Sequence, residues 1–167
     1  MKRVFRSVLF ALALSLTALQ AQALDPAKGV AMLTLSGTLA HPNKGDDAVF
    51  DDAMLAKLPQ VSMTVPTPWY PTPQTFEGPL LRDVLAAAGV KGSKLKLIAL
   101  NDYVIEMPLA DAEHYDVIVA RRLNGKPMSV REKGPLFVMY PFDGQPQLQR
   151  AEFYERCAWQ LARIVVE

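Results

Sequence analysis

The chain has 167 residues, with 18 Lys+Arg against 17 Asp+Glu, a net charge of +1, and a single cysteine. This balance carries no electrostatic footprint for nucleic acid or an anionic membrane surface. A lone cysteine also excludes an internal disulfide, so stability must come from a hydrophobic core.

Residues Met1–Ala23 read as a secretory signal. Lys2, Arg3 and Arg6 precede an apolar run from Val8 to Leu19, and Ala21-Gln22-Ala23 forms an A-x-A cleavage site. The run is too short to span a bilayer comfortably, and no cysteine follows the cleavage site to take a lipid. The expectation is a soluble, periplasmic protein without direct membrane insertion. Removing 23 residues from 167 leaves a single domain, 24–167, of 144 residues, enough to bury a core. The three bases leave with the signal, so 15 basic residues face 17 acidic ones, a balance of −2.

After a short leader, Ala31–Leu39 reads as the first strand, and a polar loop from Ala40 to Ala48 includes His41. Asp51 is placed to cap a short helix carrying Met54, Leu55 and Leu58, which Pro59 ends. Val61–Val65 alternates as a strand. Pro66–Pro73, P-T-P-W-Y-P-T-P, can be neither helix nor central strand and is predicted as a stiff extended loop. It presents Trp69 and Tyr70, either as a stacking surface for a flat ring or as a lid folded onto the core.

Gly78-Pro79 reads as a helix opening, with Leu81, Val84, Leu85 and Ala88 at helical spacing and Gly89 as a left-handed cap. Lys94–Leu100 and Tyr103–Met107 are predicted to pair as a hairpin across Asn101-Asp102. Asp111–His114 follows as one helical turn. Asp116–Leu123 is read as a strand ending in Arg121-Arg122, and Asn124-Gly125 as a hairpin turn into Lys126–Val130. After the basic loop Arg131–Pro135, Leu136–Tyr140 reads as a strand buried on both faces. Phe142–Arg150 is a polar loop, Ala151–Cys157 a short helix and Ala158–Val166 the closing strand. Many short strands with a few short helices make a β-rich α+β domain.

The sequence lacks G-x-S-x-G, H-E-x-x-H, a glycine-rich phosphate loop and C-x-x-C. His41 and His114 have no metal-ligand spacing and read as surface histidines. Cys157, beside Ala158 and Trp159, reads as a small buried apolar residue rather than a reactive thiol.

Four runs appear in order: F-E-G-P-L-L-R-D-V-L-A-A-A-G-V, then A-L-N-D-Y-V-I-E-M-P-L-A-D-A, then G-K-P-M-S-V-R-E-K-G-P-L-F-V-M-Y-P, and a closing W-Q-L-A-R-I-V-V. Together they resemble the molybdopterin-binding domain of the sulfite oxidase family. The resemblance implies that family's mixed fold and a pterin or molybdopterin-like ligand. It also implies a molybdenum-ligating cysteine near Val65–Trp69, where this chain reads V-P-T-P-W. Thr67 cannot replace a soft thiolate, so molybdenum is not expected. On this reading a pterin's aminopyrimidinone edge meets the Asp102 carboxylate, with Asn101 and Tyr103 beside it. Trp69 or Tyr70 stacks on the ring, and Arg121, Arg122, Arg131 and Lys133 are available to a phosphate or are ordinary solvated charges.

The lost cysteine favours an exported pterin sensor, similar to periplasmic pterin-responsive proteins that act on the periplasmic domain of an inner-membrane cyclic-di-GMP signalling enzyme. The alternatives are a molybdopterin-dependent oxidoreductase or its subunit, and an interaction module that uses Trp69 and Tyr70 as interface anchors.

Overall fold

The structure, a computed structural model, describes residues 24–167, and the signal reading of Met1–Ala23 lies outside them. Strands β1 (Ala31–Gly37) and β2 (Ala48–Asp51) precede helix α1 (Asp52–Lys57). Then come β3 (Gln60–Val65), β4 (Gln74–Pro79), α2 (Leu81–Ala88) and the hairpin of β5 (Lys94–Ala99) with β6 (Val104–Pro108). Helix α3 (Leu109–His114) leads into β7 (Ile118–Ala120), β8 (Arg122–Leu123) and β9 (Lys126–Pro127). The chain closes with β10 (Phe137–Met139), α4 (Ala151–Glu155) and β11 (Leu161–Val166). This is the β-rich α+β architecture that the pattern of elements predicts. Among the described residues, no helix is long and apolar enough to cross a membrane.

A five-stranded sheet runs β2-β1-β11-β5-β6, a four-stranded sheet runs β3-β4-β8-β9, and β7 pairs with β10. The last strand is therefore central: β11 lies parallel to β1 and antiparallel to β5. Leu33 and Leu35 of β1, Leu95 and Leu97 of β5 and Ile164 of β11 alternate into one buried cluster with Leu81, Val84, Leu85 and Ala88 of α2. Helix α2 ends where its spacing predicts, at Gly89 with φ 65°. β7 and β10 are buried throughout, which accounts for their unbroken apolar runs.

Three expectations are corrected. Gly78-Pro79 does not open a helix but ends β4, and α2 starts at Leu81 after an N-cap, Leu80, whose side chain makes no capping bond. The glycine serves close packing: a Cβ on Gly78 would lie 2.0 Å from the Val119 carbonyl oxygen on β7. The strand expected over Asp116–Leu123 changes sheets at Arg121. There the Arg121 N–H donates to the Glu77 carbonyl at 2.8 Å, and the chain passes from the β10 pairing to the β4 pairing. Finally, Ala48, read as the end of the polar loop, opens a buried strand, β2, with Val49 and Phe50.

Asp51 caps α1 as expected, accepting from the Met54 N–H at 2.8 Å, and it also accepts from Gly29 at 2.7 Å and Lys28 at 2.9 Å. These donors, Gly29 foremost, hold its carboxyl below the ordinary value of 3.8. The ionised group therefore contributes stability that is complete above the unfolded-state value and is lost as pH falls through the lower folded-state value. The expected result is a thermal midpoint that drops on acidification below 3.8, with a shallower acid limb in Asp51→Asn. An unchanged acid limb would remove Asp51 from this role.

Candidate functional site: an aromatic cleft at the hairpin tip

The β5–β6 tip, the proline-rich loop and the segment leaving α4 enclose a cleft of about 460 Å³. Ala99, Asn101, Tyr103 and Ile105 come from the hairpin, Trp69 from the loop, and Tyr154, Glu155, Cys157 and Trp159 from the α4 side. Pro66, Pro68 and Pro71 stiffen the loop that carries Trp69. The indole of Trp69 packs 5.4 Å from the Phe137 ring and stands nearly perpendicular to Tyr154 and Trp159, each 6.0 Å away. The outcome for Trp69 combines both readings, since the ring is anchored on the core and also faces the cleft. Both tryptophans of the chain line this one cavity.

Tyr70 does not join it. Its ring turns toward Phe76 at 6.2 Å, its hydroxyl is buried without a partner, and desolvation together with Glu132 pushes the phenol up. The loop expected to be extended turns at Pro68-Trp69 and bends at Tyr70, and only Trp69 of the pair lines the cleft.

At the hairpin tip the three expected residues divide. Asn101 and Tyr103 line the cleft, and the Asn101 side-chain oxygen accepts from the Tyr103 N–H at 3.2 Å. Asp102 takes the left-handed conformation at φ 63°, and its carboxylate accepts from Arg163 Nη2 at 2.6 Å, away from the lining. Asp102, expected to meet a pterin edge, thus lies outside the lining of this cleft.

The cations do not converge either. Arg121 is buried and donates to Asp52 Oδ1 from Nε and Nη2, with Nη1 at 3.4 Å from Gln60, so it ties α1 to the sheet. Arg122 donates to the Gly125 carbonyl, and both arginines line a different cleft beside Pro127 and Met128. Arg131 is exposed on the 3-10 turn Val130–Glu132 and does not line the aromatic cleft. Lys133 alone reaches the rim, where its ammonium lies 4.7 Å from the centre of the Trp159 ring. The lining itself carries one charge, Glu155.

Cys157 enters the site from the far end of the sequence. The Val138 N–H donates to the Ala158 carbonyl at 2.9 Å, and Phe137 bridges to Trp159, which brings the segment after α4 against β10. Cys157 is 1% exposed, as a small apolar residue would be, and its thiol donates to the Phe153 carbonyl at 3.4 Å. Burial pushes that thiol up, so the protonated form is strongly favoured. Among the described residues, no group of three or more His, Cys, Asp or Glu could hold a metal ion.

Sequence reasoning missed Trp159, Tyr154, Glu155 and Ile105. Trp159 is the one with a local signal, a large aromatic 40% exposed in a segment otherwise read as closing strand. Tyr154 and Glu155 depend on how α4 is seated. Tyr140 Oη donates to Asp111 Oδ2 at 2.6 Å, and Arg156 bridges that same oxygen at 2.9 Å to Glu152 at 2.8 Å. This buried network pins the helix end that forms the back wall.

The family model described as the oxidoreductase molybdopterin binding domain matches residues 53–142. That span includes Trp69 and the hairpin tip but not the back wall from Tyr154 to Trp159. The crystal structure of the sulfane dehydrogenase SoxCD from Paracoccus pantotrophus is similar in fold, with a TM-score of 0.58 and 18% identity over 80% of this chain. The matched part is 37% of that protein's chain, so this sequence spans little more than a third of its length. No curated protein sequence matches.

Proposed function

Because the chain belongs to the oxidoreductase molybdopterin-binding domain family, we propose that the aromatic cleft holds a pterin ring and that the protein is an exported pterin sensor. The observation that carries this reading is the set of Trp69, Trp159, Tyr103 and Tyr154 around one cavity of about 460 Å³. Such a box suits a flat heterocycle, and the volume lies within the usual range of about 300–1,000 Å³ for small-molecule sites. The Asn101 amide, rather than Asp102, is the polar group placed to meet the ring edge.

Two features favour a ligand without a phosphate. The lining charge is a carboxylate, Glu155, and of the cations expected to meet a phosphate Arg121 and Arg122 are bonded elsewhere, Arg131 lies outside the lining and only Lys133 reaches the rim, over Trp159. The ligand class proposed is therefore an unphosphorylated pterin, held without a metal bond to the protein. The periplasmic location and an inner-membrane cyclic-di-GMP partner extend this reading from the N-terminal sequence and the family resemblance. A second reading is favoured by one observation, the presence of Cys157 in the cleft wall. If the thiol were freed from Phe153 and deprotonated, the domain could serve a molybdopterin-dependent oxidoreductase.

Titration of tryptophan emission tests the proposal, because both reporters sit in the cleft. A tetrahydropterin is expected to quench most of the emission saturably, and its phosphate ester to bind about tenfold more weakly, the cost of placing a like charge near Glu155. Asp102→Ala is expected to bind as the parent does. No saturable quenching by either compound would sink the pterin reading, and tighter binding of the phosphate ester would sink the charge argument.

A further inference from the structure

The two edges of the five-stranded sheet differ. β2 is buried along its whole length, whereas β6 has Val104, Glu106 and Pro108 exposed. The pairing of β6 with β5 places Val104 opposite Ile98 and Glu106 opposite Lys96, and the Ala99 N–H donates to the Tyr103 carbonyl. In an antiparallel ladder such bonded pairs alternate with unbonded ones. Tyr103, Ile105 and Met107 thus face β5, while Val104 and Glu106 turn their N–H and C=O groups outward. Unpaired groups of this kind are a template for another strand.

Clefts run in file along this edge. The aromatic cleft touches Tyr103 and Ile105, a second cleft of about 500 Å³ continues past Val104 and Glu106, and a third of about 300 Å³ reaches Pro108. Glu152, Glu155 and Arg156 form the opposite bank. The exposed apolar residues Tyr103, Val104 and Trp159 lie along the same groove. Arg156 is shared between buried Asp111 and Glu152, Glu152 also faces Arg150 at 3.7 Å, and Lys94 is held by Glu106, which leaves Glu155, among the described residues, as the carboxylate of the bank without an ion-pair partner.

We infer that the groove between β6 and α4 takes an extended segment of a partner protein that adds as a strand to β6 and carries lysine or arginine at alternate positions. Main-chain bonds to Val104 and Glu106 supply the pairing, Glu155 reads the basic side chains, and Ile105 and Tyr103 receive the apolar residues between them. Five residues of β6 offer about 17 Å of edge at the usual rise per residue. This inference stands on the edge and its banks, which share Tyr103, Ile105 and Glu155 with the aromatic cleft.

The test uses the full exported chain and a fluorescent ten-residue peptide of alternating lysine and valine, with a glutamate–valine peptide as counterpart. The lysine peptide is expected to bind saturably, with binding weakened by salt, and to slow amide exchange at Val104 and Glu106. The glutamate peptide is expected not to bind. Val104→Pro removes one outward N–H and no ladder bond, so it should weaken the lysine peptide about fivefold, the typical worth of one such bond, with an unchanged circular dichroism spectrum. Glu155→Lys should weaken it as well. Equal binding of both peptides, binding indifferent to Val104→Pro, or no saturable binding of the lysine peptide would each overturn the inference.

Discussion

Trp69→Ala is expected to lower pterin affinity about hundredfold, since stacking on one aromatic face contributes about 1–3 kcal/mol and this ring is also the floor against which the others are set. The indole touches Phe137, Tyr154 and Trp159, so its loss removes packing for two further lining residues. The same change should cost about 3 kcal/mol of folding stability, the usual scale for truncating a large aromatic packed on a core. Trp159→Ala separates the two effects. That ring is 40% exposed, so the variant should lose affinity while losing about 1 kcal/mol of stability. Calorimetric titration with a tetrahydropterin and chemical denaturation of both variants supply the measurements. A folded Trp69→Ala protein with parental affinity would place the ligand elsewhere.

Asp111→Ala should be the most destabilising single change considered, by about 3–5 kcal/mol, because it leaves the Arg156 guanidinium and the Tyr140 hydroxyl without their shared acceptor. Tyr140 is fully buried, so its hydroxyl is cut off from bulk solvent. Arg156 keeps Glu152, but it loses the bond that ties α4 to the body of the domain. The back wall of the cleft, Tyr154 and Glu155, sits on that helix. Affinity for a tetrahydropterin should therefore fall with stability, and Asp111→Asn, which retains one acceptor oxygen, should recover part of both. Denaturation curves for the pair check this, and an Asp111→Ala protein as stable as the parent would remove the network from the account.

Elements written in local pattern were legible. Helix α2 follows from Leu81, Val84, Leu85 and Ala88 at helical spacing before Gly89, and the β5–β6 hairpin follows from two alternating runs across Asn101-Asp102. What escaped depends on distant partners. Gly78 looks like helix punctuation until Val119 is seen against it, and nothing near Asp102 in the chain announces Arg163, 61 residues on. Arg121 and Arg122 read as one basic pair. The change of sheet between them sends one into the core against Asp52 and the other to the Gly125 carbonyl.

The site was half legible for the same reason. Trp69, Asn101 and Tyr103 were found because a stiff loop and a turn declare themselves locally. The back wall was not, because it exists only through the pairing of the segment after α4 with β10. Cys157 shows both sides: its burial was readable from its neighbours, and its arrival beside Trp69 was not.

The central claim, that the aromatic cleft holds an unphosphorylated pterin without a metal bond, is tested most directly on protein isolated from its native host. The protein is denatured, and the released material is assayed for pterin fluorescence, phosphate and molybdenum. The account predicts a pterin in near-stoichiometric amount, free of phosphate ester and of molybdenum. Stoichiometric molybdenum with a phosphorylated pterin would contradict it and turn attention to the Cys157 thiol as the ligand.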